Sequence, residues 1–175
     1  MQFHNFIGYS MTRRVLTWDI VSSVTRTAAL FCLVGVLAFS GTAQAFWDDK
    51  FTEVVPQGAE VRLPAKDITA TAAFYSLPAQ KADGTKVDVH FFAVRDSQGQ
   101  VHLALDACDS CWPAAKGYVQ DGEAFRCENC GMLFNVTRIG MKKGGCNPHP
   151  VNFTEVEGNI VIQLEELQQG AQYFK

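Results

Sequence analysis

From residue 67 onward, apolar and polar positions alternate with the period of two that a strand with one buried face requires. Over residues 87–95, Val87, Val89, Phe91 and Ala93 fall on one face. Over residues 101–106, Val101, Leu103 and Leu105 share a face while His102, Ala104 and Asp106 take the other. A β-branched and aromatic run precedes these over residues 68–75. Short strands follow over 124–126 and 132–136, and a last pair over 153–156 and 160–164. Turn chemistry separates them at Lys81-Ala82-Asp83-Gly84, at Ser97-Gln98-Gly99-Gln100, over 117–122 and at Glu157-Gly158-Asn159. Residues 137–150 are rich in glycine and proline and read as a loop, and a short polar helix over 165–169 closes the chain. With no long amphipathic helix and no internal repeat, the pattern predicts a mostly β fold, a small antiparallel barrel or sandwich over residues 67–175. Residues 46–66, with Pro56 and Pro64 and no periodicity, read as an extended lead-in.

The first 45 residues differ in kind. Arg13, Arg14 and Arg26 precede an unbroken apolar run over residues 28–39, and Ala43-Gln44-Ala45 offers a small-x-small cleavage site. This is the pattern of an export signal whose removal leaves Phe46 first. An uncleaved anchor, associating with a membrane through residues 27–45, is the alternative, although the run is shorter than the roughly 20 residues of a comfortable span. Arg13-Arg14 faintly matches a twin-arginine signal, a route that exports folded, cofactor-loaded proteins. Either way the remaining chain faces an extracytoplasmic compartment.

The 47% hydrophobic fraction of the 175 residues is therefore inflated by this run. Residues 46–175 carry twelve Lys and Arg against seventeen Asp and Glu. Such an acidic balance offers no face for neutralising phosphates and excludes nucleic acid as a partner class. The one local excess, Arg138, Lys142 and Lys143, reads as a solvated loop.

Candidate chemistry is concentrated in cysteine. Cys108-Asp109-Ser110-Cys111 and Cys127-Glu128-Asn129-Cys130-Gly131 form two Cys-x-x-Cys knuckles, and Cys146 follows in Gly144-Gly145-Cys146-Asn147-Pro148. Each knuckle can aim two sulfurs at one ion, and two together supply the four thiolates that zinc or iron prefers. Cys108, Cys111, Cys127, Cys130 and Cys146 are the candidate metal ligands. Glycines at 144 and 145 and prolines at 148 and 150 place the fifth thiol too deliberately for a packing residue. Disulfide staples are the competing use of cysteine in an exported protein, but five thiols leave at least one unpaired. Cys32 lies within the apolar run and leaves with it. His90, His102 and His149 are further candidates, each better read as a surface or hydrogen-bonded core side chain. Trp112 reads as a shield for the site.

From about residue 68 to residue 164 the chain resembles the FtrD-like membrane iron-sulfur family. The residues that carry the resemblance are Ala107-Cys108-Asp109-Ser110-Cys111-Trp112, Lys116-Gly117-Tyr118, Cys127-Glu128-Asn129-Cys130-Gly131, Arg138-Ile139-Gly140 and Gly144-Gly145-Cys146-Asn147-Pro148. The resemblance implies an exported or membrane-attached redox protein with a cysteine-bound iron-sulfur cluster, an accessory to ferrous iron uptake. Its partners would be redox proteins and a membrane iron permease. Larger relatives carry several membrane spans that this chain lacks. Residues 125–134 and 155–162 also resemble a Rieske-type domain in outline. Rieske loops pair one cysteine with one histidine, however, and two cysteines per loop make a more negative centre of lower potential.

Three functions compete on these residues. An iron-sulfur electron carrier needs no acid, base or nucleophile, and the sequence shows no such constellation. A structural zinc module for binding a partner suits the spacing equally well. A thiol-disulfide oxidoreductase is the weakest, because Asp106 and Asp109 beside the first knuckle oppose the thiolate that this chemistry needs.

Overall fold

The computed structural model describes residues 50–175. The segment read as an export signal over residues 1–45, with its cleavage point before Phe46, lies outside the described residues. Ten strands among the described residues assemble into three sheets. The central sheet has the order β1 (Thr52–Glu53), β3 (Ala73–Gln80), β4 (Lys86–Arg95), β5 (Val101–Leu105), and all its pairings are antiparallel except that of β1 with β3. A second sheet orders β2 (Glu60–Pro64), β10 (Asn159–Gln163) and β9 (Thr154–Val156). A third orders β6 (Tyr118–Asp121), β7 (Ala124–Cys127) and β8 (Leu133–Asn135). The single α-helix among the described residues, α1 (Leu164–Gln169), follows β10 directly.

The burial pattern stacks these sheets in three layers. One face of the central sheet, through Leu77, Val89, Phe91, Leu103 and Leu105, packs against Val61 and Leu63 of β2, Ile160 and Ile162 of β10, and Leu167 of α1. The opposite face, through Phe92, Val94 and Ala104, packs against Tyr118, Phe125, Val136 and Ile139. The alternation in β4 is real, but both of its faces are apolar over Phe91-Phe92-Ala93-Val94, and the strand is covered on both sides. Phe92 stacks on Phe125 with ring centroids 4.3 Å apart, which joins the central sheet to the third.

The barrel expected from the strand pattern does not form, for the three sheets remain open. Beyond β5 the chain over residues 149–151 runs alongside and exchanges single bonds, Leu105 N–H to the His149 carbonyl and His149 N–H to that of Ala107. Pro148 and Pro150 lack the N–H groups a continuing ladder needs, so the edge is capped and no further strand pairs there. The strand expected over residues 68–75 begins later, at Ala73. Thr69 Oγ1 accepts from Thr71 N–H and closes a local turn in competition with the ladder. From residue 50 the lead-in supplies β1 and β2, with a tight turn between Gln57 and Glu60, so it takes part in two sheets and is not extended throughout. The last hairpin turns on Glu157 and Gly158, both at positive φ (51° and 74°), the backbone of a two-residue turn that matches strand twist.

Candidate metal centre

Three loops converge beside the third sheet. The first leaves β5, where Ala107 and Cys108 are buried, and turns so that the Cys111 N–H donates to Cys108 Sγ at 3.2 Å. The second joins β7 to β8. Cys127 ends β7 opposite Tyr118, its N–H donates to the Met132 carbonyl, and the Gly131 N–H donates back to the Cys127 carbonyl. Gly131 sits at φ +76°, a left-handed conformation that closes this knuckle and that a β-carbon would strain. The third loop carries Cys146 and is tied to the first by Ser110 N–H to the Gly145 carbonyl and by Gly144 N–H to Asp109 Oδ2. The buried Tyr118 hydroxyl donates to the Cys146 carbonyl at 2.6 Å and holds that loop from below.

The result is two sulfur triangles with a common member. Cys108, Cys111 and Cys146 form one, Cys111, Cys127 and Cys130 the other, and within each the sulfurs lie no more than 4.8 Å apart. Cys111 Sγ and Cys146 Sγ are 3.7 Å apart. None of the five thiols is in a disulfide. Burial grades across the centre: Cys108 and Cys127 are buried, Cys111 and Cys146 half-buried, and Cys130 exposed.

Residues 58–174 match the family described as membrane iron-sulfur containing protein FtrD-like. The chain belongs to this family. No curated protein and no solved structure gave a match.

The FtrD-like centre fits a metal or an iron-sulfur group by its donor chemistry. Five thiols converge, and among the described residues no histidine or carboxylate joins their two triangles; sulfur is the donor that both iron-sulfur clusters and structural zinc take. Around a four-coordinate ion with metal–sulfur bonds of about 2.3 Å, neighbouring sulfurs stand about 3.8 Å apart. The 3.7 Å between Cys111 and Cys146 is that spacing, and much longer than a disulfide bond of about 2.05 Å. The thiols are electrostatically uneven. Burial pushes Cys127 up to about 11, whereas the Met132 backbone N–H holds Cys130 down to about 7. Contact with Cys130, and burial after it, raise Cys146. A metal that draws in Cys127 must therefore displace a reluctantly released proton.

Sequence reasoning named Asp106 and Asp109 beside the first knuckle of the FtrD-like chain but missed that they support these loops. Asp106, buried two residues before Cys108, accepts from the Tyr118 N–H at 2.7 Å and from Lys50 Nζ at 2.7 Å. Lys50 also donates to the Tyr118 carbonyl and lies 4.2 Å from the Phe74 ring centroid. Burial outweighs the Lys50 charge and raises the Asp106 carboxyl to about 6. Asp106 was legible as the polar member of an alternating strand, but nothing local marks Lys50 as its partner. Asp109, the second of these, accepts from the Tyr173 hydroxyl at 2.7 Å and lies 3.7 Å from His149 Nδ1.

The three histidines stand apart from the sulfur triangles. His102 bridges Asp96 Oδ2 (2.9 Å) and the Ile139 carbonyl (3.1 Å) within the core. His90 stacks on Phe51 with centroids 3.9 Å apart, and His149 packs against Tyr173. Trp112 begins the turn after Cys111 and, with Phe51, Tyr173 and Phe174, lines a cavity of about 310 Å³ that opens on Cys108, Cys111 and Cys127. Among the described residues of this FtrD-like protein, no helix is long and apolar enough to cross a membrane.

Proposed function

We propose that the chain is an extracytoplasmic iron-sulfur electron-transfer protein that serves ferrous iron uptake, exchanging electrons with redox partner proteins at or near a membrane iron permease. The observation that carries this reading is the convergence of all five thiols, free of disulfides, in two triangles that share Cys111. Membership of a family of membrane iron-sulfur proteins supports iron over zinc. The N-terminal segment, as signal or anchor, would take the domain to the outer face of a membrane.

Cys108, Cys111, Cys127, Cys130 and Cys146 would hold the cluster. When bound, such a cluster accepts and releases one electron and needs no acid, base or nucleophile from the protein. The remaining residues position and shield. Tyr118, buried among Phe92, Phe125 and the thiols, excludes water from the inner side and fixes the Cys146 loop. Trp112 and Phe174 form apolar walls on the side of the cavity. Backbone N–H groups at Cys111 and Met132 point at sulfurs, and such hydrogen bonds raise the potential of a thiolate-held centre.

Protein purified from an extracytoplasmic fraction is expected to be brown, to contain iron and acid-labile sulfide, and to give an electron paramagnetic resonance signal after reduction. Colourless protein with stoichiometric zinc would overturn the reading in favour of a structural module.

A further inference from the structure

Charge is distributed very unevenly along the chain that carries this centre, and the nearest carboxylates, Glu128 and Asp109, are engaged by Arg126 and by the Gly144 N–H. Over residues 50–175 twelve Lys and Arg stand against fifteen Asp and Glu, yet residues 129–154 hold Arg138, Lys142 and Lys143 and no carboxylate at all. This stretch begins inside the second knuckle and ends past Cys146. Its basic loop is pinned to the first knuckle through Gly144 and Gly145. All three cations are exposed. So are three large apolar side chains of the same stretch: Met132, Leu133 and Met141 are 52%, 60% and 71% exposed.

Cys130, two residues before Met132, is the one exposed thiol of the five. An electron crosses most readily where the centre comes closest to its partner, and that point is the exposed sulfur. Transient interfaces are small, with apolar contacts inside and complementary charge at the rim, and charge sets their encounter rate more than their strength. We propose that the basic, methionine-bearing stretch from Cys130 to Cys146 is the docking face for an acidic redox partner protein, with the electron passing at Cys130. The inference rests on the electron-carrier reading and adds to it the partner's chemistry and orientation. A negatively charged partner is drawn to this stretch and repelled by the acidic remainder of the surface. One electron moves, with no bond made or broken and no proton transferred.

The test uses the reduced holoprotein and two one-electron oxidants of opposite charge, ferricyanide and tris(phenanthroline)cobalt(III), mixed by stopped flow over a range of ionic strength. Ferricyanide takes one electron to give ferrocyanide, and the cobalt complex one to give cobalt(II). Reversing the charge of the stretch with Lys142→Glu and Lys143→Glu together is expected to slow oxidation by ferricyanide about tenfold at low salt and to speed oxidation by the cobalt cation, both effects fading at high salt. The neutralised pair Lys142→Gln, Lys143→Gln is expected to fall between, and replaces the reversed pair if that variant loses its visible spectrum. Equal rates for wild type and either variant overturn the inference alone. A holoprotein that dithionite does not reduce overturns the carrier reading and the inference with it. Sedimentation with phosphatidylglycerol vesicles distinguishes a lipid surface: vesicle binding lost in the variant at unchanged ferricyanide rate assigns the stretch to the membrane and overturns the inference.

Discussion

Cys111 belongs to both sulfur triangles, so its removal dismantles both, whereas any other thiol belongs to one. Cys108→Ala, Cys111→Ala, Cys127→Ala and Cys130→Ala are each expected to abolish stable metal binding and lower the unfolding midpoint, because ligation and folding are coupled. Full metal content in any of these variants removes that residue from the ligand set. Cys146→Ser is expected to retain metal but shift the visible spectrum or the reduction potential. Away from the centre, Asp96 offers a cleaner electrostatic test. The His102 ring holds its carboxyl below the usual range, with backbone N–H groups of Gln100 and Gln98 adding to the effect. A depressed carboxyl contributes stability above its unfolded pKa of about 3.9 and loses it as pH falls through the folded value. Denaturant titrations should therefore find Asp96→Asn less stable than wild type at pH 7, with the gap narrowing below about pH 4.

At the scale of elements, two glycines in similar conformations carry different burdens. Gly131 at φ +76° has open space where a β-carbon would sit, so Gly131→Ala should cost only the left-handed strain, about 1 kcal/mol. Gly140 at φ +74° would place that carbon 2.6 Å from the Leu103 carbonyl oxygen of β5, and Gly140→Ala should cost about 3 kcal/mol in chemical unfolding. The elements themselves were largely legible. The β3–β4, β4–β5 and β9–β10 hairpins and the terminal helix follow from alternation and turn residues, because these are local signals. The knuckles were legible for the same reason. Strands β1 and β2 were not, since their partners β3 and β10 lie far along the chain and pairing with them decides their state. Lys50 was hidden likewise, its partner Asp106 being 56 residues away. The closed barrel failed because strand periodicity fixes faces and leaves open which edges meet.

At the largest scale described, residues 50–175 are organised on β4, whose two faces serve separate cores. Phe92→Ala is expected to cost about 3–5 kcal/mol and to loosen the metal as well, because the same cluster contains Cys108 and Cys127. A variant equally destabilised but with unaltered metal affinity would separate the core from the centre. The layering has one more consequence. Strands β6, β7 and β8 all lie between Cys111 and Cys146 in the chain, and as strands they pair only with one another. A group held by both Cys111 and Cys146 would fasten the two ends of this stretch at one point and make the third sheet a closed ring of polymer, with its conformational freedom restricted even before folding. Opening that clasp with a chelator should release the ring first. Hydrogen exchange of the amides over residues 118–135 is expected to accelerate while those of β3 and β4 stay protected, so that the metal governs one of the three sheets as a separately melting unit.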